Sequence, residues 1–274
     1  MADSPHQLDH EMAPLTNAEF FSPAYLAERR RAIEQMERAA SFQGIDQFDP
    51  KLPAGHAYAI RTSTRLTSDF RRQHRKGAMD ITPQDVIDAI NSAGVKNWVL
   101  MGLRGYIGYM PDPRATQDVD VMVPYSSRAK AKKAIASRWP NLVIRELSQV
   151  TRFLDPADLD HEGQPKPVID LMHPWSPFQE LILKEYVIVD DETKHRIPTL
   201  EAALASEYAA MQASNRERAD KEQDAAEFRR IARANRDRIR DGDLRRLAAL
   251  VWEGGADEIA RFVHIALSDD PFPI

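Results

Sequence analysis

Cysteine is absent from the 274 residues, which excludes disulfides, thiolate nucleophiles, iron–sulfur clusters and cysteine-ligated zinc together. Long apolar runs are missing as well. The longest, Trp98 to Leu103 and Leu247 to Trp252, fall far short of the roughly 20 residues that a membrane-spanning helix needs, so no membrane partner is expected. The first ten residues have neither a basic start nor an apolar stretch, so no secretory signal is expected and a cytoplasmic location is the default. His56, His74, His161, His173, His195 and His264 show no H-x-x-x-H or H-E-x-x-H spacing, which leaves a zinc hydrolase with little support.

What is present is the composition of a folded protein, 43% hydrophobic and 29% charged. The 37 basic and 42 acidic residues leave a net charge of −5, and residues 1 to 50, with four Arg and nine Asp or Glu, carry all of it. The rest is neutral but uneven. Arg61 to Lys76 holds six basic residues against Asp69 alone, and Arg128 to Arg145 holds six with no acid until Glu146. Such segments are either solvated helix faces or places where a polyanion such as RNA docks.

Residues 1 to 18 have no periodic apolar face and read as a mobile tail. Tyr25, Leu26, Ile33 and Met36 predict an amphipathic helix from Pro23 to Ala40. Thr82 as cap, Pro83 in the first turn and Asp85 three after the cap predict a helix start, with Val86, Ile87 and Ile90 buried and Gly94 as the stop. From Trp98 short apolar runs predict strands at Trp98–Met101, Val119–Val123, Leu142–Ile144, Thr151–Leu154, Val168–Leu171 and Tyr186–Val189, with a helix over Ser126–Trp139. After Pro198 the pattern is helical throughout. The predicted organisation is an N-terminal tail and helical extension over 1–80, a mixed α/β core over 81–197 and a helical region over 198–274.

The informative string is Arg114-Ala-Thr116-Gln-Asp118-Val-Asp120-Val-Met-Val123. Alternate strand residues share a face, so Asp118 and Asp120 lie side by side while Val119, Val121 and Val123 enter the core. Two adjacent carboxylates repel unless a cation or a shared proton compensates, which points to oxygen-ligated Mg²⁺ or Mn²⁺. Asp170, in the apolar run Pro167 to Leu171, offers a third acid, and three acids on neighbouring strands suit a two-metal phosphoryl-transfer site. An isolated acidic pair on the solvent face of an edge strand binds nothing, so the string needs its context.

That context is a strand ending at Met101, Gly102, a short helix and then Arg-x-Thr-x-Asp-x-Asp. Here the chain resembles the nucleotidyltransferases of the DNA polymerase beta superfamily and, within it, the AbiEii-like toxin family. The resemblance covers about Trp98 to Phe228 and rests on Gly102, Arg114, Thr116, Asp118, Asp120 and Asp170. It implies a nucleotidyltransferase-type mixed sheet with flanking helices and a helical C-terminal region. It implies catalytic and metal-binding roles for Asp118, Asp120 and Asp170, with an NTP as substrate held near Gly102, Arg104, Arg114 and Thr116. Further, it implies NMP transfer to an RNA or protein hydroxyl, within a toxin–antitoxin pair whose antitoxin is a protein partner. Leu103 stands where the family has a second small residue, Glu207 where it usually has Lys, and Gln223-Asp224-Ala-Ala-Glu227-Phe228 where it has Lys-Asp-x-x-Asp-Leu. Leu103 either blocks the triphosphate or packs away from it, and the second is expected. These departures leave a non-catalytic binding or scaffold protein as the alternative.

Overall fold

The computed structural model describes residues 22–27, 29–31, 52–268 and 270–274. The chain divides into two units, Met1–Asp49 and Pro50–Ile274. In the first, residues 23–27 and 29–31 are helical, and the Ser22 hydroxyl accepts from the Tyr25 amide at 3.2 Å as a helix cap. The expected tail over 1–18 and the second half of the helix expected to Ala40 lie outside the described residues.

The second unit begins with α1 (His56–His74), for which the apolar pattern predicts nothing. Its buried residues include Ala59, Ile60, Ser63, Thr67 and Arg71, so the spacing is helical while half of the inward face is polar. This helix packs within the Pro50–Ile274 unit: the Gly55 amide bonds the Gly108 carbonyl at 3.1 Å, and Ala59 and Ile60 enter the same apolar cluster as Ile107. α2 (Pro83–Ser92) starts on the expected Thr82–Asp85 capping box and is followed by Gly94 at φ +74°.

One mixed sheet follows, built from β1 (Val99–Leu100), β2 (Val119–Met122), β3 (Val143–Glu146), β4 (Val150–Leu159) and β5 (Pro165–Met172) in the order β1-β2-β5-β4-β3. β2 and β5 run parallel, and the other pairs are antiparallel. α3 (Gly102–Tyr106) leaves β1, and α4 (Arg128–Arg138) links β2 to β3. α5 (Pro177–Glu185) then leads into a two-stranded hairpin, β6 (Val187–Val189) with β7 (Arg196–Pro198). Four helices close the chain: α6 (Leu200–Gln212), α7 (Arg218–Ala234), α8 (Asp241–Ala248) and α9 (Gly255–Leu267). The fold is thus mixed α/β with flanking helices, as the alternation of strand and helix patterns predicts.

The two faces of the sheet are covered differently. Val119, Val121, Val123, Phe153, Ile169 and Leu171 form one apolar cluster with Val86, Ile87 and Ile90 of α2 and Ala131 and Ile135 of α4. Met122, on the other face, joins a second cluster made with α1, α3 and α5 to α9. The basic segments are compensated in part in this arrangement. Arg61 pairs with Glu192, Arg72 with Asp69 and Arg75 with Asp158, while Arg128 and Lys132 share Glu146.

Candidate metal centre

The β2–β5 register sets Asp120 directly opposite Asp170, and Asp118 precedes Asp120 by one pleat on the same face. Among the described residues, one carboxylate oxygen from each of Asp118, Asp120 and Asp170 lies within 4.8 Å of the others. Burial pushes the Asp170 carboxyl up to about 6, with Arg152 opposing the rise and Asp118 adding to it. Asp120 is held well above the usual carboxylate range by burial and then by Asp118 and Asp170, against Arg152 and Arg216. Asp170 Oδ1 is buried with no hydrogen-bond partner. Three converging carboxylates, one with a bare buried oxygen, form an all-oxygen donor set, and that set fits a hard divalent cation.

Gly102 is fixed by this cluster. Its φ is +53°, and a Cβ placed there would lie 2.1 Å from Asp120 Oδ2, so both backbone conformation and space require glycine. The Met101 amide bonds the Asp120 carbonyl at 2.9 Å, which ties the turn to the acid-bearing strand. Leu103 is 7% exposed and belongs to the helical apolar cluster, although part of it reaches the cavity wall.

The loop leading into Asp118 is held from behind by α1. Ser63 Oγ donates to the Arg114 carbonyl at 2.5 Å, Thr67 Oγ1 donates to the Thr116 carbonyl at 3.0 Å, and the Thr116 amide donates to Thr67 Oγ1 at 3.2 Å. Arg71 reaches the Gln117 carbonyl. Arg104, expected beside the nucleotide, joins the same scaffold. It is 1% exposed and donates to Ser63, Thr64 and Thr67 hydroxyls and to the Thr116 carbonyl. Burial lowers its pKa to about 10, with Arg71 adding to the fall and Asp118 and Asp120 opposing it. It therefore stays cationic at neutral pH, behind the acids and outside the cavity lining. Thr116 Oγ1 donates to Asp118 Oδ1 at 3.2 Å and so orients that carboxylate.

The acids open into a cavity of about 980 Å³ whose lining includes Gly102, Arg114, Thr116, Arg152, Glu207 and Trp252. Two of its arginines are already paired, Arg114 with Glu227 and Arg216 with Asp224 at 2.7 Å. Glu207, on α6, is buried beside these pairs. Burial and then Glu227 and Asp224 push its carboxyl well above the usual range, against Arg216 and Arg114. Tyr106 lines the cavity but is buried. Tyr109 donates to the Pro198 carbonyl at 2.7 Å and serves the core, and His173 packs edge-on to Tyr125 at 5.3 Å. Sequence reasoning passes over Arg152, Arg216, Trp175 and Trp252. Arg152 alone left a signal there, as a charged residue between Thr151 and Phe153 in a predicted strand; the structure pairs it in register with Asp170.

No protein-family model matches the chain, and no curated protein does. Among solved structures it is similar to an antigenic nucleotidyltransferase-like protein from Paracoccidioides brasiliensis, at 11% identity and TM-score 0.39 over 80% of this chain and 100% of that one. It is also similar to terminal uridylyl transferase 4 from Trypanosoma brucei with bound GTP, at 12% identity and TM-score 0.28 over 78% of this chain and 74% of that one. A third, the Thermotoga maritima CCA-adding enzyme complexed with tRNA, stands at 11% identity and TM-score 0.26, over 77% of this chain and 57% of that one. Likenesses this low carry no conclusion about activity, which has to be argued from the site.

Proposed function

We propose that the chain is a metal-dependent nucleotidyltransferase that moves NMP from an NTP to an acceptor hydroxyl. The observation that carries this reading is the convergence of Asp118, Asp120 and Asp170 within 4.8 Å, at the edge of a cavity with room for a nucleotide. Mg²⁺ or Mn²⁺ held by these three residues, in one or two ions, would supply neutralisation of the triphosphate and of the charge on departing pyrophosphate. Asp170, in its ionised form, accepts the proton of the acceptor hydroxyl. Thr116 orients Asp118, and Arg104 keeps a positive charge behind the pair. Arg114 reaches the cavity as a cation for phosphate once it shifts from Glu227. RNA is the preferred acceptor, with a protein hydroxyl next. The antitoxin partner and the toxin role rest on the resemblance in sequence alone.

A second reading, a binding or scaffold protein that has kept the fold, is favoured by Arg152, whose Nε lies 3.3 Å from Asp170 Oδ2 and supplies part of the compensation a metal would give. One experiment separates the two. Each labelled NTP is incubated with the protein, total RNA and Mn²⁺, and label transfer is compared with that of Asp120→Asn. Label in RNA or protein that disappears with Asp120→Asn upholds the transferase. No transfer by the wild type, with metal binding intact, leaves the scaffold reading.

A further inference from the structure

Trp252, in the turn after α8, carries an inference that rests on the nucleotidyltransferase reading and goes beyond it. The residue lines the same cavity as the carboxylates and is 47% exposed, yet it is not a loose surface side chain. Its indole N–H donates to the Tyr208 hydroxyl and, at 3.1 Å, to Glu258 Oε2. The Tyr208 hydroxyl in turn donates to Glu258 Oε2 at 2.6 Å. The ring also rests on a glycine. A Cβ on Gly254 would come within 2.1 to 2.8 Å of three atoms of the six-membered ring. Gly254 has φ −87°, which any residue adopts, so only the close approach of the indole excludes a side chain there. Leu250 and Val251 line the cavity beside it.

One indole N–H shared between Tyr208 and Glu258, together with the close packing on Gly254, thus holds an aromatic plate while nearly half of it stays exposed. An indole needed only for the core would be buried, and one left over at the surface would not require a glycine beneath it. Its N–H is already satisfied, so what remains on offer is the π-face. We infer that Trp252 is a preformed stacking platform for a planar nucleobase, carried either by the incoming NTP or by the end of an RNA acceptor. Stacking on tryptophan is sequence-tolerant, and a rigid plate holds a base without losing rotamer freedom on binding.

The test uses the full chain with Mn²⁺. Calorimetric titration with ATP, UTP and a short single-stranded oligoribonucleotide is run on wild type, Trp252→Ala, Trp252→Phe and Gly254→Ala. Trp252→Ala is expected to weaken at least one ligand about tenfold or more, whereas Trp252→Phe keeps a ring but loses the N–H anchor to Tyr208 and Glu258 and falls between wild type and Trp252→Ala. Gly254→Ala retains the indole but displaces it, so it should weaken the same ligand without removing the aromatic group. Mn²⁺ binding without nucleotide is unchanged in all three variants, and thermal unfolding confirms that each is folded. Weakening of the NTPs alone assigns the platform to the incoming nucleotide, and weakening of the oligonucleotide alone assigns it to the acceptor. Equal affinity in wild type, Trp252→Ala and Gly254→Ala overturns the platform while leaving the transferase reading intact. If wild type binds Mn²⁺ but neither NTP nor oligonucleotide, both fall.

Discussion

The two faces of the same strands have opposite chemistry. On one, Val119, Val121, Ile169 and Leu171 disappear beneath α2 and α4. On the other, one residue out of phase, Asp118, Asp120 and Asp170 meet around a shared point and open into a cavity. The backbone is common to both, so a pleat of two residues is what separates the groups that stabilise the fold from those that strain it. The apolar face gains from every side chain it buries. The acidic face loses from burial, since Asp120 and Asp170 are desolvated beside other carboxylates, and the strain is opposed by Arg152, at Asp120 by Arg216 as well, and by whatever cation the site takes up.

The sharpest way to break this comparison is to exchange the chemistry of adjacent residues. Val121 is 0% exposed, and Val121→Asp places an unpaired carboxylate in the apolar cluster. It is expected to cost about 4 kcal/mol or more and to leave little folded protein at 25 °C by circular dichroism. Asp120→Ala, one residue away, should leave the metal-free protein as stable as wild type or slightly more so, and should remove Mn²⁺ binding measured by calorimetry. An Asp120→Ala protein that unfolds would show that the acid holds the fold together.

A change of pH acts on one face only. Asp170 titrates near 6 in the folded protein against a model-peptide value of 3.8, so the unfolded chain releases this proton first. Stability is therefore unaffected below about pH 3.8, falls as pH rises toward 6 and stays lower above it, by on the order of 3 kcal/mol. His56 acts in the opposite sense. Burial and then neighbouring His195 lower it to about 4 against the pull of Asp190, so its contribution is present above pH 6.5 and is lost as pH falls toward 4. Urea midpoints in EDTA from pH 4 to pH 7.5 should thus rise more with pH in Asp170→Asn than in wild type, where the two groups oppose each other. Mn²⁺ should stabilise wild type more at pH 7.5 than at pH 5, and equal stabilisation at both would place the ion elsewhere.

Much of this contrast is legible in the sequence because period-two alternation writes both faces into one string: Val119, Val121 and Val123 against Asp118 and Asp120. The Thr82 cap is legible for a similar reason, since its partner Asp85 is three residues away. What stays hidden depends on contacts far along the chain. α1 escapes notice because its inward side chains at Ser63, Thr67 and Arg71 are polar, and their partners are carbonyls some fifty residues later. The setting of Arg104 is hidden for the same reason, as nothing near it announces that α1 will surround its guanidinium. The fixed indole of Trp252 requires Tyr208 from α6 and Glu258 from α9, a meeting that no local pattern predicts.

Gly102 joins the two halves of the comparison, and substituting it has a smaller effect than either change above. Gly102→Ala must hold φ near +53° and place its methyl 2.1 Å from Asp120 Oδ2. The left-handed backbone alone costs about 1 to 2 kcal/mol, and relief of the clash requires the carboxylate to swing. A lower urea midpoint together with Mn²⁺ affinity weakened about tenfold is the expected pair of results. Loss of stability with unchanged Mn²⁺ affinity would mean that Asp120 Oδ2 is not a ligand atom.

The smallest effect sharpens the comparison by asking whether burial of acid in this cavity is always strained. Glu207, Asp224 and Glu227 form a second acidic set, on helices instead of strands, and there Arg216 and Arg114 pair with Asp224 and Glu227 while Glu207 forms no ion pair with an arginine among the described residues. Its carboxyl is pushed upward chiefly by burial and by those two acids, so its cost is present at high pH and disappears as pH falls and the group protonates. Glu207→Met keeps the length of the side chain and removes the charge. It is expected to raise stability by about 1 kcal/mol at pH 8, read as a shift in the urea midpoint, with a smaller gain at pH 5. If Glu207→Met instead destabilises the protein at pH 8, the carboxyl holds a favourable interaction in the ionised form. The helical acids would then be a compensated set, and strain would be confined to the acids on the sheet.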